Sequence, residues 1–168
     1  MMQTQEAEFV LRAPEPEDLD ALLALSNAHT REVGTIAREA FAELVVLSFR
    51  TRMTPTRNAF LIALADRAPP IAPNYHWFAA RLERFVYVDR VVVAERARGR
   101  GLGRLLYQDL VEASLRAGRT TLCCEVNVDP PNPVSDAFHA ALGFNEIGRA
   151  FLPDRGKKVR YLVKELTS

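Results

Sequence analysis

The part of this sequence best suited to chemistry is a turn rich in glycine and arginine. Residues 98–104 read Arg-Gly-Arg-Gly-Leu-Gly-Arg, and residues 96–104 contain no Ser, Thr, Asp or Asn. The first amide groups of a helix are unpaired and attract anions, and glycines let a ligand approach the backbone closely. Because no short polar side chain is present to cap those amides, the turn is predicted to bind a phosphate group.

Two common nucleotide-binding motifs do not fit this turn. The Gly-Lys-Ser/Thr sequence of a P-loop is missing, and residues 104–106, Arg-Leu-Leu, lack the third glycine of a dinucleotide fingerprint. The turn does match the pattern Arg-x-x-Gly-x-Gly, filled by Arg98, Gly101 and Gly103. So short a pattern becomes specific only through the elements around it.

A strand before the turn and a helix after it must position these residues. Residues 85–93 are rich in valine and aromatic side chains, which is typical of a strand. From Leu102 to Ala117, apolar residues recur at the three- or four-residue spacing of an amphipathic helix. The other predicted strands are residues 9–11, 58–65, 120–128, 147–151 and 159–164, and the other predicted helices are residues 19–28, 36–53, 75–82 and 134–142. This alternation predicts an α/β chain with a mixed sheet covered by helices.

Some of these elements have a second interpretation. Residues 58–65 also fit a buried helix, and residues 75–82 also fit an irregular strand. Residues 75–78, Tyr-His-Trp-Phe, are the densest aromatic cluster of the chain. Trp77 and Phe78 either plug the edge of the core or form a wall of an acceptor pocket, since clustered aromatic side chains favour binding sites.

Together with its strand and helix, the Arg-x-x-Gly-x-Gly turn resembles that of the GNAT N-acetyltransferase superfamily, strongly over residues 85–144 and loosely over the first eighty. The resemblance implies one domain over residues 1–168. It implies a mixed, mostly antiparallel sheet with a splayed parallel strand pair and helices on both faces. It also implies acetyl-CoA as cosubstrate, in the gap between strands 85–93 and 120–128. No spacing of His, Cys and Asp residues suggests a metal site.

The resemblance assigns the acetyl-CoA contacts to residues that match the motif. The backbone of the first strand would pair with the pantetheine arm, and the turn would hold the pyrophosphate. Asn132 would contact CoA, although capping the helix that begins at Pro133 accounts for it equally well. The implied cofactor-binding residues are Val91, Val92, Val93, Arg98, Gly99, Arg100, Gly101, Leu102, Gly103, Arg104 and Asn132.

Transfer to an amine requires a base, because an alkyl ammonium has a pKa near 10.4. Glu125 is the first candidate, since glutamate is depleted in strands and several amine-acetylating family members place a general base here. It is otherwise a solvated or salt-bridged glutamate. Asp89 is the second candidate and otherwise pairs with an arginine. Either carboxylate also suits the ammonium group of a substrate.

His139 stands where the family commonly has a tyrosine that donates a proton to the leaving CoA thiolate. This is a departure, because imidazole is mostly uncharged at neutral pH unless a neighbour such as Asp136 raises its pKa. His139 is therefore predicted either to donate a proton or hydrogen-bond the sulfur, or to be a helix-surface histidine that contacts Ser135 or Asp136.

The composition argues against nucleic-acid and membrane partners. The 168 residues include 22 basic and 21 acidic side chains, for a formal net charge of +1. No apolar run approaches the roughly 20 residues of a membrane-spanning helix, and the N-terminus lacks a signal-peptide pattern. Cys123 and Cys124 would point to opposite faces of a strand, so a disulfide between them is not expected. The predicted location is the reducing cytoplasm.

Two hypotheses of different classes describe the function. The first is an acyltransferase that moves acetyl from acetyl-CoA to a primary amine of a small molecule or peptide, by direct attack in a ternary complex. The alternative is a catalytically weak acetyl-CoA-binding or interaction module on the same fold. Acceptor contacts are expected from residues 29–35, 67–80 and 154–158. The acceptor, the length of the acyl group and a homodimeric state are left open.

Overall fold

The computed structural model of the protein describes residues 9–29, 33–69 and 72–167. Its helices are α1 (Leu19–Asn27), α2 (Arg38–Leu47), α3 (Pro73–Ala79), α4 (Leu102–Arg116) and α5 (Pro133–Ala141). Its strands are β1 (Arg50–Met53), β2 (Ala59–Ala65), β3 (Phe85–Val93), β4 (Thr121–Asp129), β5 (Asn145–Leu152) and β6 (Lys157–Glu165). Short 3₁₀ turns lie at Pro16–Asp18, Glu95–Ala97 and Pro153–Arg155.

The strands form one mixed sheet in the order β1-β2-β3-β4-β6-β5. Among the described strands, β3 and β4 are the one parallel pair, and the other neighbours are antiparallel. This confirms the predicted mixed, mostly antiparallel sheet. The β3–β4 ladder ends at Tyr87 and Cys123, although the strands continue to Val93 and Asp129. The two strands therefore separate toward their carboxyl ends and leave a gap.

Helices cover both faces of this sheet. On one face, α1, α2 and α3 pack over a buried cluster whose members include Leu22, Phe41, Phe60, Phe78, Tyr87 and Tyr161. On the other face, α4 fills a second cluster through Leu102, Leu106 and Leu110. Alternate residues of β2 belong to the two clusters, so this strand is buried on both faces. That burial explains the continuous apolar run of residues 58–65.

The predicted helix over residues 36–53 is wrong in its last part. Helix α2 ends at Leu47, and β1 pairs with β2 as an edge strand. Ser48 has an extended backbone and its hydroxyl donates to the carbonyl of Val45, 2.7 Å away, which competes with continuation of the helix. The burial of Thr51 and Met53, two residues apart, is the strand signal in this segment.

The predicted strand at residues 9–11 does not form. The chain makes a single antiparallel bridge there, between Arg12 and Met53 of the edge strand β1. Arg12 also holds the buried carboxylate of Asp18 at 2.6 Å, so this segment is anchored by an ion pair and one bridge instead of a ladder.

Candidate active site

Two clefts open where β3 and β4 separate. The first, here called the turn cleft, has a volume of about 500 Å³ and lies between the end of β3, the Gly-Arg turn and α5. The second, here called the carboxylate cleft, has a volume of about 770 Å³ and is lined from β3, β4, α2, α3 and the β5–β6 hairpin. Val33 lines both clefts, so they adjoin.

The turn cleft brings together most of the residues predicted to contact acetyl-CoA. Arg100 lies on the same turn but does not line the cleft. The predicted residues that line it are Val91, Val92, Val93, Arg98, Gly99, Gly101, Leu102, Gly103, Arg104, Asn132 and His139.

The first turn of α4 is open to an anion. Gly101 precedes the helix with φ of +79°, and Gly99 has φ of +80°, a conformation that L side chains rarely adopt. No side chain caps the helix, as the missing Ser, Thr, Asp and Asn predicted. Its first amide groups therefore remain available to a ligand in the turn cleft.

Gly103 serves packing. A Cβ atom on Gly103 would lie 3.0 Å from Cζ of Phe138 on α5. The Phe138 ring in turn packs beside Tyr107 of α4, with ring centroids 5.7 Å apart. Gly103 thus lets α5 approach α4 closely, a contact that the Arg-x-x-Gly-x-Gly pattern does not indicate.

Glu125 lines the carboxylate cleft and contacts a phenol. It lies on β4 opposite Tyr161 of β6. The buried hydroxyl of Tyr87 on β3 donates to its carboxylate and lies 3.0 Å from Oε1 and 2.8 Å from Oε2. Tyr87 pairs with Cys123, two residues before Glu125, so both side chains lie on one face of the sheet.

The surroundings of Glu125 move its titration to neutral pH. Burial raises the pKa of Glu125 from 4.5 to about 7, and the negative charge of Asp89 acts in the same direction. Hydrogen bonds from Tyr87 and Asn74 favour the ionised carboxylate and oppose the rise in pKa. A carboxylate that titrates near pH 7 has the proton affinity that a general base needs.

Asn74 at the start of α3 connects Glu125 to Tyr161. The Tyr161 hydroxyl donates to Oδ1 of Asn74 across 2.9 Å, which leaves the amide nitrogen as the donor to Glu125. Tyr87 is not among the predicted site residues, and Asn74 is included only within the predicted acceptor segment 67–80. Tyr87 was detectable in principle, because it lies on the strand beside that of Glu125. Asn74 was not, because it follows a proline-rich loop whose path no periodicity defines.

Trp77 packs against Tyr161, the residue that bonds to Asn74. Its ring stacks on Tyr161 with centroids 4.0 Å apart and an interplanar angle of 15°, and the guanidinium of Arg81 lies 3.9 Å from the Trp77 ring centroid. Trp77 and Phe78 line neither cleft and pack in the first core cluster. This favours the core-edge interpretation of the aromatic cluster.

Gly148→Ala is expected to lower the free energy of unfolding by about 1–3 kcal/mol, measured by urea denaturation. A Cβ atom there would lie 2.7 Å from Cζ2 of Trp77, and the stack on Tyr161 restrains that ring. In a Trp77→Leu background the same substitution should cost little. An equal loss in both backgrounds would contradict the contact.

A β-bulge at Asp89 turns two consecutive charged side chains into the carboxylate cleft. Ile62 opposes Arg90 and Ala63 opposes Val88, so Asp89 is the extra residue of the β2–β3 ladder. Nε of Arg90 lies 2.8 Å from Oδ2 of Asp89, and both residues line the cleft. The arginine partner considered for Asp89 is therefore the next residue in the chain. The negative charge of Asp89 contributes to the raised pKa of Glu125, and a role of Asp89 as base stays a prediction.

His139 is buried, with 4% of its surface exposed, and both ring nitrogens are engaged. Nδ1 donates to the carbonyl of Ser135 across 2.8 Å, and Nε2 accepts from the Tyr107 hydroxyl across 2.7 Å. We assign the proton to Nδ1 because a carbonyl only accepts. Burial lowers the pKa of His139, which is neutral at neutral pH.

One expectation for His139 is corrected: it is buried and not on the helix surface, although the contact with Ser135 considered for it is present. The charge of Asp136 acts to raise the pKa of His139, but burial outweighs that charge, so the imidazole is uncharged as expected. Asp136 forms an ion pair with Arg160. Proton donation by His139 to a leaving thiolate would require one of its two hydrogen bonds to break.

Asn132 caps α5. Its Oδ1 accepts from the amide of Ser135 across 3.2 Å, so the N-cap prediction is confirmed. Asn132 also lines the turn cleft, and its contact with CoA stays a prediction. Within the described ranges, no three or more His, Cys, Asp or Glu side chains are grouped to hold a metal. No described helix has the length and apolar character needed to cross a membrane.

Residues 71–144 match the model of the Acetyltransferase (GNAT) family. No curated protein sequence matches the chain significantly. The ribosomal-protein-S18-alanine N-acetyltransferase of Escherichia coli is 18% identical and has a TM-score of 0.69, over 95% of this chain and 94% of that chain. NAA60 of Arabidopsis thaliana, in complex with a bisubstrate analogue, is 16% identical and has a TM-score of 0.74, over 94% of this chain and 98% of that chain. Salmonella typhimurium yncA, with its cofactor acetyl-CoA, is 16% identical and has a TM-score of 0.68, over 95% of this chain and 94% of that chain. These structures share the fold of this chain.

Proposed function

Because residues 71–144 match the GNAT acetyltransferase family model, we propose that the protein transfers an acetyl group from acetyl-CoA to the primary amine of a small molecule or peptide. The family match supports acetyl transfer in general, and the amine acceptor and direct attack in a ternary complex are our proposal. The observation that carries it is Glu125, which lines the carboxylate cleft and has a pKa of about 7.

We assign acetyl-CoA, which supplies the acetyl group as a thioester, to the turn cleft. The freed backbone of Val91–Val93 would pair with the pantetheine arm in the manner of an added strand. The uncapped amides after Gly101, together with Arg98 and Arg104, would bind the pyrophosphate. A backbone amide near Val92 would stabilise the oxyanion of the thioester carbonyl.

The acceptor amine would enter the carboxylate cleft. Glu125 would accept one proton from its ammonium group and leave a neutral nitrogen. That nitrogen attacks the thioester carbonyl, so that a C–N bond forms and the C–S bond breaks. The second proton leaves the nitrogen and protonates the CoA thiolate, directly or through water. We give His139 a positioning role, because its bond to Tyr107 links α5 to α4 beside the turn cleft, and its bond to Ser135 within α5 orients the ring.

The test is amine-dependent release of free CoA thiol from acetyl-CoA, with mass spectrometry of the acetylated product. A panel of primary amines, including short peptides, is expected to contain acceptors. Tight CoA binding without transfer to any amine would favour the binding-module alternative. Calorimetry that detected no binding of CoA or acetyl-CoA would remove both hypotheses.

Two substitutions are expected to move the acid limb of the pH–rate profile in opposite directions. Tyr87→Phe removes a hydrogen bond that favours the ionised Glu125, so the limb should move to higher pH by about one unit. Asp89→Asn removes the charge that disfavours ionised Glu125, so the limb should move to lower pH. The measurement is kcat/KM against pH.

Tyr75→Phe is the matched control for these two variants. The Tyr75 hydroxyl donates to the carbonyl of Ala65, 2.8 Å away, so its loss should leave the limb in place. A shift of the same sign in the Tyr87 and Asp89 variants would contradict the electrostatic account of Glu125.

A further inference from the structure

The carboxylate cleft has a basic end as well as acidic side chains. Arg155 and Lys157, on either side of the tight turn between β5 and β6, line it and do not line the turn cleft. In total the cleft is lined by three acidic residues, Glu43, Asp89 and Glu125, and by three basic ones, Arg90, Arg155 and Lys157. This balance does not suit an acceptor with several positive charges, which would meet the two cations of the hairpin.

The strand register sets the distance between Glu125 and the basic end. Tyr161 of β6 is the partner of Glu125, and Lys157 begins the same strand. Side chains alternate along β6, so Lys157 lies on the face of Tyr161 and Glu125. Four residues at about 3.4 Å each place Lys157 about 14 Å along the sheet from the position of Glu125. Side chains stand roughly perpendicular to a sheet and lean along the strand, so the charged groups of Glu125 and Lys157 lie on the order of 10 Å apart.

From this geometry we infer that the acceptor is an amine that also carries a carboxylate about 10 Å from its reactive nitrogen, as a short peptide with a free carboxyl terminus does. The inference rests on the proposed function and adds the class of its acceptor. The amine meets Glu125, and the carboxylate meets Arg155 and Lys157. Asp89 does not attract a second cation, because Arg90 already lies 2.8 Å from it.

The test compares Ala-Ala-Ala with its carboxyl-terminal amide as acceptors at low salt. The two peptides have the same amine and length and differ by one charge. We expect kcat/KM to be at least about tenfold higher for the free acid, and the ratio to fall at high salt. Alanine and alaninamide provide the length control, since a separation of about 3 Å between amine and carboxylate is too short to reach both ends. That pair should show no preference.

Three variants connect the preference to the hairpin. Arg155→Gln and Lys157→Gln should each lower the acid-to-amide ratio severalfold. Lys158→Gln removes the same charge from the next residue, which points to the other face and does not line the cleft, and should keep the ratio. Arg155 is exposed, so its substitution tests the inference without disturbing the fold.

Equal kcat/KM for acid and amide would overturn the inference and leave the proposed acetyl transfer intact. An acid-to-amide ratio that is unchanged in both Arg155→Gln and Lys157→Gln would also overturn the inference. If neither peptide is acetylated, calorimetric titration of both into the CoA complex gives the ratio from affinities, and equal affinities overturn the inference. Failure of the proposed function itself appears separately, as an absence of amine-dependent thiol release across the whole panel.

Discussion

Glu125→Gln is expected to lower kcat/KM for amine acetylation by about a hundred- to a thousandfold while CoA affinity is retained. The amide keeps the size of the side chain and its contact with Tyr87 but cannot accept the proton of the ammonium group. In the native protein, kcat/KM should decline below pH 7 as Glu125 becomes protonated, because the pKa of this carboxyl is about 7. The variant should lack this limb.

Glu125→Gln should also raise the free energy of unfolding above pH 7. A lower rate in a more stable protein would show that the substitution removes a catalytic group and does not unfold the protein. The pKa of Glu125 is about 7 in the folded protein against an ordinary 4.5, so the folded state binds more protons between these values. The free energy of unfolding therefore declines as pH rises through this window, by about 3 kcal/mol in total. Glutamine does not titrate, so the free energy of unfolding of the variant should not show this decline with pH.

The measurement is urea denaturation of both proteins at pH 5 and pH 8, beside the pH–rate profiles. Glu39→Gln is the matched control, because it removes the same charge from an exposed position on α2 that lines neither cleft. An unchanged rate in Glu125→Gln would end the assignment of Glu125 as base. A rate loss accompanied by lower stability at pH 8 would point to misfolding and contradict the raised pKa.

Gly101→Asp is expected to weaken binding of CoA and acetyl-CoA by more than about a hundredfold. It places a negative charge before the first turn of α4, where uncapped amides, Arg98 and Arg104 face the cleft. Loss of two charge-assisted hydrogen bonds and the added repulsion amount to about 3–4 kcal/mol. Isothermal titration calorimetry measures the effect.

Gly118→Asp is a closely matched control for this variant. Gly118 follows the other end of α4, has φ of +73°, and has no atom within 4 Å of an added Cβ, as is true of Gly101. Both substitutions therefore carry a similar conformational cost of about 1 kcal/mol. CoA affinity should fall only in Gly101→Asp, and equal affinities of the two variants would contradict a pyrophosphate site at this helix.

Residues 85–104 illustrate what could be predicted from the sequence. The sequence predicts a valine-rich strand, a turn with spaced glycines and an amphipathic helix in this order, and the structure has this order. Each of these properties depends on side chains that are close in the chain. The local pattern predicts helix over the short strand β1, because the pairing of β1 with β2 depends on a partner that local pattern does not reveal.

The surroundings of the candidate catalytic groups required the fold. Glu125 was chosen from its place in a strand, but its contact with Tyr87 spans 38 residues, and the contact of Tyr161 with Asn74 spans 87. For His139, the helical spacing predicts the contact with Ser135, four residues earlier, but only the packing of α5 on α4 brings Tyr107 to the other ring nitrogen.

The sequence by itself determined the strand–turn–helix around Gly101, the fold class and the identity of the carboxylates worth considering. Only the tertiary structure decided that Glu125 titrates near pH 7, that Asp89 is paired with Arg90, and that basic side chains of the β5–β6 hairpin line the same cleft. The reason is physical. Backbone conformation depends largely on neighbouring residues, whereas proton affinity and charge complementarity depend on burial and on groups that folding brings together from distant parts of the chain.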